Sequence, residues 1–212
     1  MKQVLIVGSD SDIAKRFEDY LRKRGYAEPI RLNRENCDLE GYFNIMNYIN
    51  KPIDLLIFAA GVNTRLSVIE ERKWLLNKTF SVNLISPLSI VSTLARLKML
   101  TSTANIMFLG SVLGRIPKSK SMAYGISKGA LEIAVKYLAK ELHPIRVNNV
   151  ALGFIDTKWH KGKSKKDLAG IEKEILMKRM GTVEDACHAM EFIMNNDYLT
   201  GQTIVVDGGF SL

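Results

Sequence analysis

The chain has 212 residues, 47% of them apolar and 25% charged, with a formal net charge of +8. That length and balance suit one globular domain over residues 1–212, with a core that needs no disulfide or metal to hold it, and they exclude a disordered or fibrous chain. No apolar run is long enough to cross a bilayer. The two cysteines, Cys37 and Cys187, form no C-x-x-C pair, and His143, His160 and His188 have no ligand spacing, so no metal site is expected. Much of the excess positive charge gathers in KWHKGKSKK, residues 158–166. Neither zinc-finger spacing nor an RNA-binding aromatic signature accompanies that run, so nucleic acid is not the expected partner.

In chain order, QVLIV is a short apolar run that passes straight into Gly-Ser-Asp. It is too short for a signal-peptide core and reads as a buried strand of a cytoplasmic protein. Residues 11–24 repeat apolar side chains at helical spacing (Ile13, Phe17, Tyr20, Leu21), and Gly25 fits as the C-cap. PIRLN is a second strand. CDLEGYFNIMNYIN leaves room for only a stub of strand and a short helix. IDLLIFAAG is apolar on both faces, as a strand inside a parallel sheet is. Residues 70–100 read as a long helix that Pro87 kinks or breaks. NIMFLG is the next strand, MAYGISKGALEIAVKYLAKEL the next helix, and IRVNNVAL the strand after it. A polar, basic loop follows, then helices at 172–178 and 183–194, and QTIVVDGG closes with a strand. Apolar strands alternating with helices predict a doubly wound α/β domain, a Rossmann-like parallel sheet with helices on both faces. In such a sheet ligands bind beyond the carboxyl ends of the strands. Gly8, Ala60, Ser111 and Leu152 therefore share one rim.

The richest chemistry on that rim is SVLGRIPKSKSMAYGISK, residues 111–128. Tyr124 and Lys128 are one turn apart on a helix face, and Ser111 ends the preceding strand. A phenol has a reference pKa near ~10, which a neighbouring ammonium lowers. A serine hydroxyl polarising a carbonyl oxygen that the tyrosine protonates would be acid–base catalysis. VGSDSDIA, residues 7–14, joins the first strand to the first helix. Gly8 permits the tight bend, and the helix N-terminus behind it suits a pyrophosphate.

Taken together, these segments resemble the short-chain dehydrogenase/reductase family, in its compact type that includes 3-oxoacyl-carrier-protein reductases. VGSDSDIA is similar to the family's T-G-x-x-x-G-x-G, FAAG to its N-N-A-G, and SVNLISP to the segment holding its active-site asparagine. IRVNNVALGFIDT resembles I-R-V-N-x-V-x-P-G-x-I-x-T, and TGQTIVVDGG resembles the family's ending. The resemblance implies a catalytic set of Asn83, Ser111, Tyr124 and Lys128. Tyr124 would be the acid or base, Lys128 would tune it and bind the nicotinamide ribose, Ser111 would orient the substrate oxygen, and Asn83 would hold a relay water. It further implies a nicotinamide cofactor held by Gly8, Ser11, Asp12, Ile13, Arg34, Asp38, Ala59, Ala60, Gly61, Tyr124, Lys128, Ile155 and Thr157.

The chain departs from the family at Asp12 and Ala14, which replace glycines, at FAAG, at Leu152-Gly153, and in its cut-short second crossover. PIRLNREN ends without an aspartate and offers Arg31, Asn33 and Arg34, so NADP is expected over NAD. The implied reaction is hydride transfer between the cofactor and a carbonyl/alcohol substrate. The basic run at 158–166 lies where the family's substrate lid lies and suggests an anionic substrate. The resemblance also implies a homotetramer or homodimer built on the helices of residues 70–100 and 121–142. Two other functions fit the same residues: a catalytically silent cofactor-binding sensor or scaffold, and a sugar epimerase or dehydratase on the same fold.

Overall fold

A computed structural model describes residues 1–41 and 44–212. Six strands form one parallel sheet in the order β2-β1-β3-β4-β5-β6. They are β1 (Val4–Val7), β2 (Ile30–Leu32), β3 (Ile53–Phe58), β4 (Leu100–Ser111), β5 (Arg146–Leu152) and β6 (Thr203–Val206). The helices are α1 (Asp12–Lys23), α2 (Lys73–Phe80), α3 (Ser86–Arg96), α4 (Met122–Glu141), α5 (Lys165–Glu174) and α6 (Val183–Asn195).

Alternation along the strands divides the core in two. Leu5, Val7, Leu56, Phe58, Ile106 and Phe108 face α3 and α4. Val4, Ile6, Leu55, Ile57, Met107 and Leu109 face α1 and α6. Both faces are covered, which is why the strands read as unbroken apolar runs. The reversal of strand order lies between β1 and β3, where β1 first pairs β2 and then β3. That crevice is the ligand-binding place of a doubly wound sheet.

The second crossover, from β2 to β3, carries a single 3-10 turn at Ile45–Asn47 among its described residues. The expected loss of a helix there is met; Tyr42 and Phe43, within the expected short helical segment, lie outside the described residues. The long helix expected over residues 70–100 is corrected: α2 ends at Phe80, a π turn spans Ser81–Ile85, and α3 runs on to Arg96. Pro87 has no N–H for the carbonyl four residues back, which is that of Asn83, and the wider turn absorbs the loss. The helix expected at 172–178 is corrected to α5. Ser164 caps it reciprocally with Asp167: Ser164 Oγ accepts from Asp167 N at 3.1 Å, and Asp167 Oδ2 accepts from Ser164 N at 3.1 Å. The basic run is thus part turn and part helix.

Candidate active site

Gly8 turns the chain from β1 toward α1 with φ +87. A Cβ there would lie 2.3 Å from Ala60 N, so the turn and the end of β3 approach as only glycine permits. Gly8 N and Ser9 N both donate to Leu32 O, at 2.7 and 3.1 Å. Ser11 stands at the N-cap of α1 without a side-chain capping bond. A glycine-lined turn and an N-terminus free of a capping side chain fit a dinucleotide's phosphates. Gly8→Ala is expected to destabilise the fold by at least about 2 kcal/mol, read as a lowered urea midpoint, because it combines backbone strain with a backbone clash.

One cleft of about 530 Å³ runs along the carboxyl ends of the strands. It brings together Gly8, Ser11, Asp12, Ile13, Arg34, Asp38, Ala59, Ala60, Gly61, Ser111, Tyr124, Lys128, Ile155 and Thr157. Asn83 lies just behind: a Cβ on Gly61 would be 3.6 Å from Asn83 Oδ1 and 3.8 Å from Lys128 Nζ.

Ser111 ends β4, almost fully buried, and its Oγ accepts from Leu113 N at 3.2 Å. Close glycine contacts seat α4 against this corner: a Cβ on Gly125 would meet Leu113 O at 2.6 Å, and one on Gly129 would meet Gly114 O at 2.8 Å. Lys128 is buried, with Nζ donating to Leu109 O at 2.8 Å and lying 5.9 Å from the Tyr124 ring centre. Burial pulls its pKa down to about 8. Burial pushes the Tyr124 phenol up, with the Ser111 hydroxyl acting against it. The depression of Tyr124 by Lys128 expected from their spacing is therefore not what the protein alone provides. Desolvation dominates, and the phenol stays protonated.

Asn83 sits in the π turn and is 1% exposed. Its Oδ1 accepts from Val62 N at 2.8 Å, while Nδ2 donates to Val62 O at 2.9 Å and to Ser127 Oγ at 3.0 Å. Ser127 in turn donates to Tyr124 O at 2.7 Å. The amide thus staples the loop after β3 to α4. Sequence reasoning missed Ser127, although its spacing of three from Tyr124 places it on the same helical face.

At the far end of the cleft, Arg34 reaches Glu40 at 3.4 Å and Lys78 reaches it at 2.8 Å. Nothing in the sequence pointed to Lys78, which comes from α2. Arg31, a candidate beside Arg34, is tied instead to Glu18 and Glu28 on the neighbouring structure. Cys37 lines the cleft as a buried thiol whose pKa rises to about 11, and it is inert at neutral pH.

Beyond β5, Ile155 bridges to Gly181 and Thr157 Oγ1 donates to Ile155 O at 3.3 Å. A 3-10 turn, Lys158–His160, then folds across the cleft. Trp159 Cη2 comes within 3.8 Å of the Cβ position of Gly61, and its ring centre is 6.0 Å from that of Tyr124. Arg65 Nη2 holds this turn by donating to Trp159 O at 2.9 Å. His160 packs on Phe154, and burial pulls its pKa to about 4, so it adds no charge at neutral pH. Among the described residues no cluster of ligating side chains could hold a metal, and no helix is long and apolar enough to cross a membrane.

The sheet order and the glycine turn at the end of its first strand define a Rossmann-type α/β fold. The sequence profile described as Enoyl-(Acyl carrier protein) reductase matches residues 10–211. Mouse 3-oxoacyl-[acyl-carrier-protein] reductase is 32% identical over 82% of this chain and 73% of its own length. The Arabidopsis thaliana short-chain dehydrogenase/reductase SDRA is 32% identical over 74% of this chain; that match spans 63% of the relative, and a match to tropinone reductase-like 3 of Erythroxylum coca spans 62% of its length. Among solved structures, a short-chain dehydrogenase family protein from Francisella tularensis superposes with a TM-score of 0.87 at 26% identity, covering 100% of this chain and 99% of that one. 4-hydroxyisoleucine dehydrogenase complexed with NADH has the same fold, with a TM-score of 0.91 at 24% identity over 100% and 99% of the two chains. The chain belongs to the short-chain dehydrogenase/reductase family.

Proposed function

We propose that the protein is an NAD(P)-dependent oxidoreductase that interconverts a carbonyl and an alcohol. The observation that carries this reading is the convergence of Ser111, Tyr124 and Lys128 with the glycine turn in one cleft. The nicotinamide supplies the hydride. Tyr124, kept as a neutral phenol by burial, gives its proton to the carbonyl oxygen in the reductive direction, and Ser111 orients that oxygen. Lys128 supplies positive charge behind the phenol. Both Nδ2 protons of Asn83 are spent on Val62 O and Ser127 Oγ, and Pro87 offers no N–H to its main-chain carbonyl, so that carbonyl would hold a relay water. The test is a panel of carbonyl substrates in neutral and anionic pairs, followed by absorbance of reduced cofactor. Turnover with a gain for the anionic member supports the reading, and no cofactor oxidation across the panel counts against it. The anionic preference rests on Arg65 and the exposed Lys161, Lys165 and Lys166 at the lid.

The finer choice of cofactor is NADP. Arg34 and Lys78 form a pair of cations around a single carboxylate, a setting suited to a 2′-phosphate. Lys78→Ala is expected to weaken NADPH binding about tenfold and to leave NADH within twofold in a fluorescence titration. Tighter NADH binding by the native protein would reverse the assignment. A homo-oligomer is supported by the outer face of α4, where Ile126, Ile133 and Tyr137 are exposed, with Trp74 exposed on α2. Ala123, on the same helix, is buried within the chain and is not part of that face.

A further inference from the structure

Asp12 stands where the family carries a glycine, at the turn that approaches the cofactor's phosphates. A bare carboxylate there would oppose a doubly negative pyrophosphate. The structure gives this carboxylate a specific partner across 146 residues of chain. Asp12 Oδ2 accepts from Lys158 N at 2.8 Å, and Asp12 Oδ1 is 3.2 Å from Lys158 Nζ. Lys158 is the first residue of the lid turn and lines the same cleft as Gly8, Ser11 and Ile13.

We infer that Lys158 is a cofactor-binding residue whose ammonium, positioned by Asp12, meets the pyrophosphate of the dinucleotide. This rests on the NAD(P) reading above. The charges around the turn support it. Asp10 and Asp12 are countered on α1 by Lys15, which pairs with Asp10 at 3.9 Å. Without Lys158 the turn carries a net negative charge; with it the turn is neutral, and an ammonium with further donors faces the cleft. The Lys158 side chain is 75% exposed, against 23% for Asp12. So exposed a pair adds little to the stability of the fold. Its consequence is local, in the field met by an anion. The lid turn has a second, independent tie in the bond from Arg65 to Trp159 O, so removing the ammonium leaves the turn held.

The test uses the full chain and Lys158→Met, Lys158→Arg, and Asp12→Asn combined with Lys158→Met. Affinities for NADPH and NADH are read by fluorescence, and those for ADP-ribose and adenosine by competition. Lys158→Met is expected to weaken the reduced cofactors and ADP-ribose about tenfold, while adenosine stays within twofold. The loss shrinks at high salt, because screening removes the charge effect. Lys158→Arg keeps the native affinity. Adding Asp12→Asn to Lys158→Met recovers most of it, since the uncompensated carboxylate is gone. The inference is overturned by unchanged ADP-ribose affinity in Lys158→Met, by an equal loss for adenosine, or by a double variant no better than the single. A native protein that binds neither reduced cofactor overturns the NAD(P) reading and this inference together; native binding with an unaffected Lys158→Met overturns this inference alone.

Discussion

Tyr124→Phe is expected to lower turnover about 10³-fold while the affinity for reduced cofactor changes less than twofold. The variant removes one oxygen and keeps the ring that packs opposite Trp159. Substrate and cofactor space are therefore preserved, and only the proton donor is lost. Because burial raises the phenol's pKa, the native donor is fully protonated at neutral pH, and the reductive rate should stay flat through pH 7. The measurement is single-turnover oxidation of NADPH by a substrate from the carbonyl panel, paired with a fluorescence titration of cofactor. The competing functions separate in the same experiment. A silent sensor shows no native turnover to lose. An epimerase or dehydratase turns over substrate with no net change in reduced-cofactor absorbance. A tyrosine with only a packing role would leave the rate of the phenylalanine variant near native.

The sheet was legible in the sequence because a strand buried on both faces leaves a continuous apolar run. β3 and β5 stand close to where IDLLIFAAG and IRVNNVAL implied. β4 is longer than NIMFLG because it begins at Leu100, which pairs with Ile53 ahead of a register shift in the β3–β4 ladder, with Ser102 and Thr103 exposed. Thr101, Ser102 and Thr103 carry no apolar signal, so only the extended backbone of the structure reveals them. The π turn is a tertiary compromise between Pro87 and the staple made by Asn83, and no local pattern announces it. α5 was displaced in the sequence reading because its apolar face is short and lysine-rich. The Ser164–Asp167 capping box was the available signal, and it marks the start correctly.

The candidate site was legible to the degree that its residues lie at strand ends. Gly8, Ser111, Tyr124 and Lys128 follow from topology once the strands are placed. Lys78 and the partnership of Asp12 with Lys158 were not legible, because each depends on which distant element packs beside it, whereas the spacing of Ser127 from Tyr124 on one helix was a signal left unused. The same holds for electrostatics. Spacing alone suggested that Lys128 would depress Tyr124, but spacing carries no information about desolvation: Lys128 is buried, and the half-buried Tyr124 sits among protein atoms on the cleft wall.

Lys128→Met should therefore do two opposite things at neutral pH: raise the stability of the cofactor-free protein and sharply lower turnover. A lysine whose pKa falls from 10.5 to about 8 disfavours its own ammonium by about 3 kcal/mol relative to the unfolded chain. Methionine has similar length and no charge, and its thioether fills the same channel beneath Gly61. The lost bond to Leu109 O returns about 1 kcal/mol of that gain, leaving a net stabilisation of about 2 kcal/mol at neutral pH. The pH dependence identifies the cause. Below pH 8 the native lysine is charged in both the folded and the unfolded chain, so the penalty is complete and the variant's advantage is largest. Between pH 8 and 10.5 the folded lysine is neutral while the unfolded one still binds a proton. Native stability rises with pH across that window, so the variant's advantage shrinks through zero, and above it the bond to Leu109 O leaves the native protein ahead by about 1 kcal/mol. Urea midpoints for the two proteins at pH 7, 9 and 10.5 measure this directly. Turnover should fall at least about 10²-fold at pH 7, where the native lysine carries the positive charge behind Tyr124 that the variant lacks, and the gap should narrow above pH 8 as the native lysine loses its proton. A methionine variant less stable than native at pH 7 would mean that the ammonium's hydrogen bond outweighs its burial, and the buried lysine would then be a structural tie rather than a strain held for chemistry.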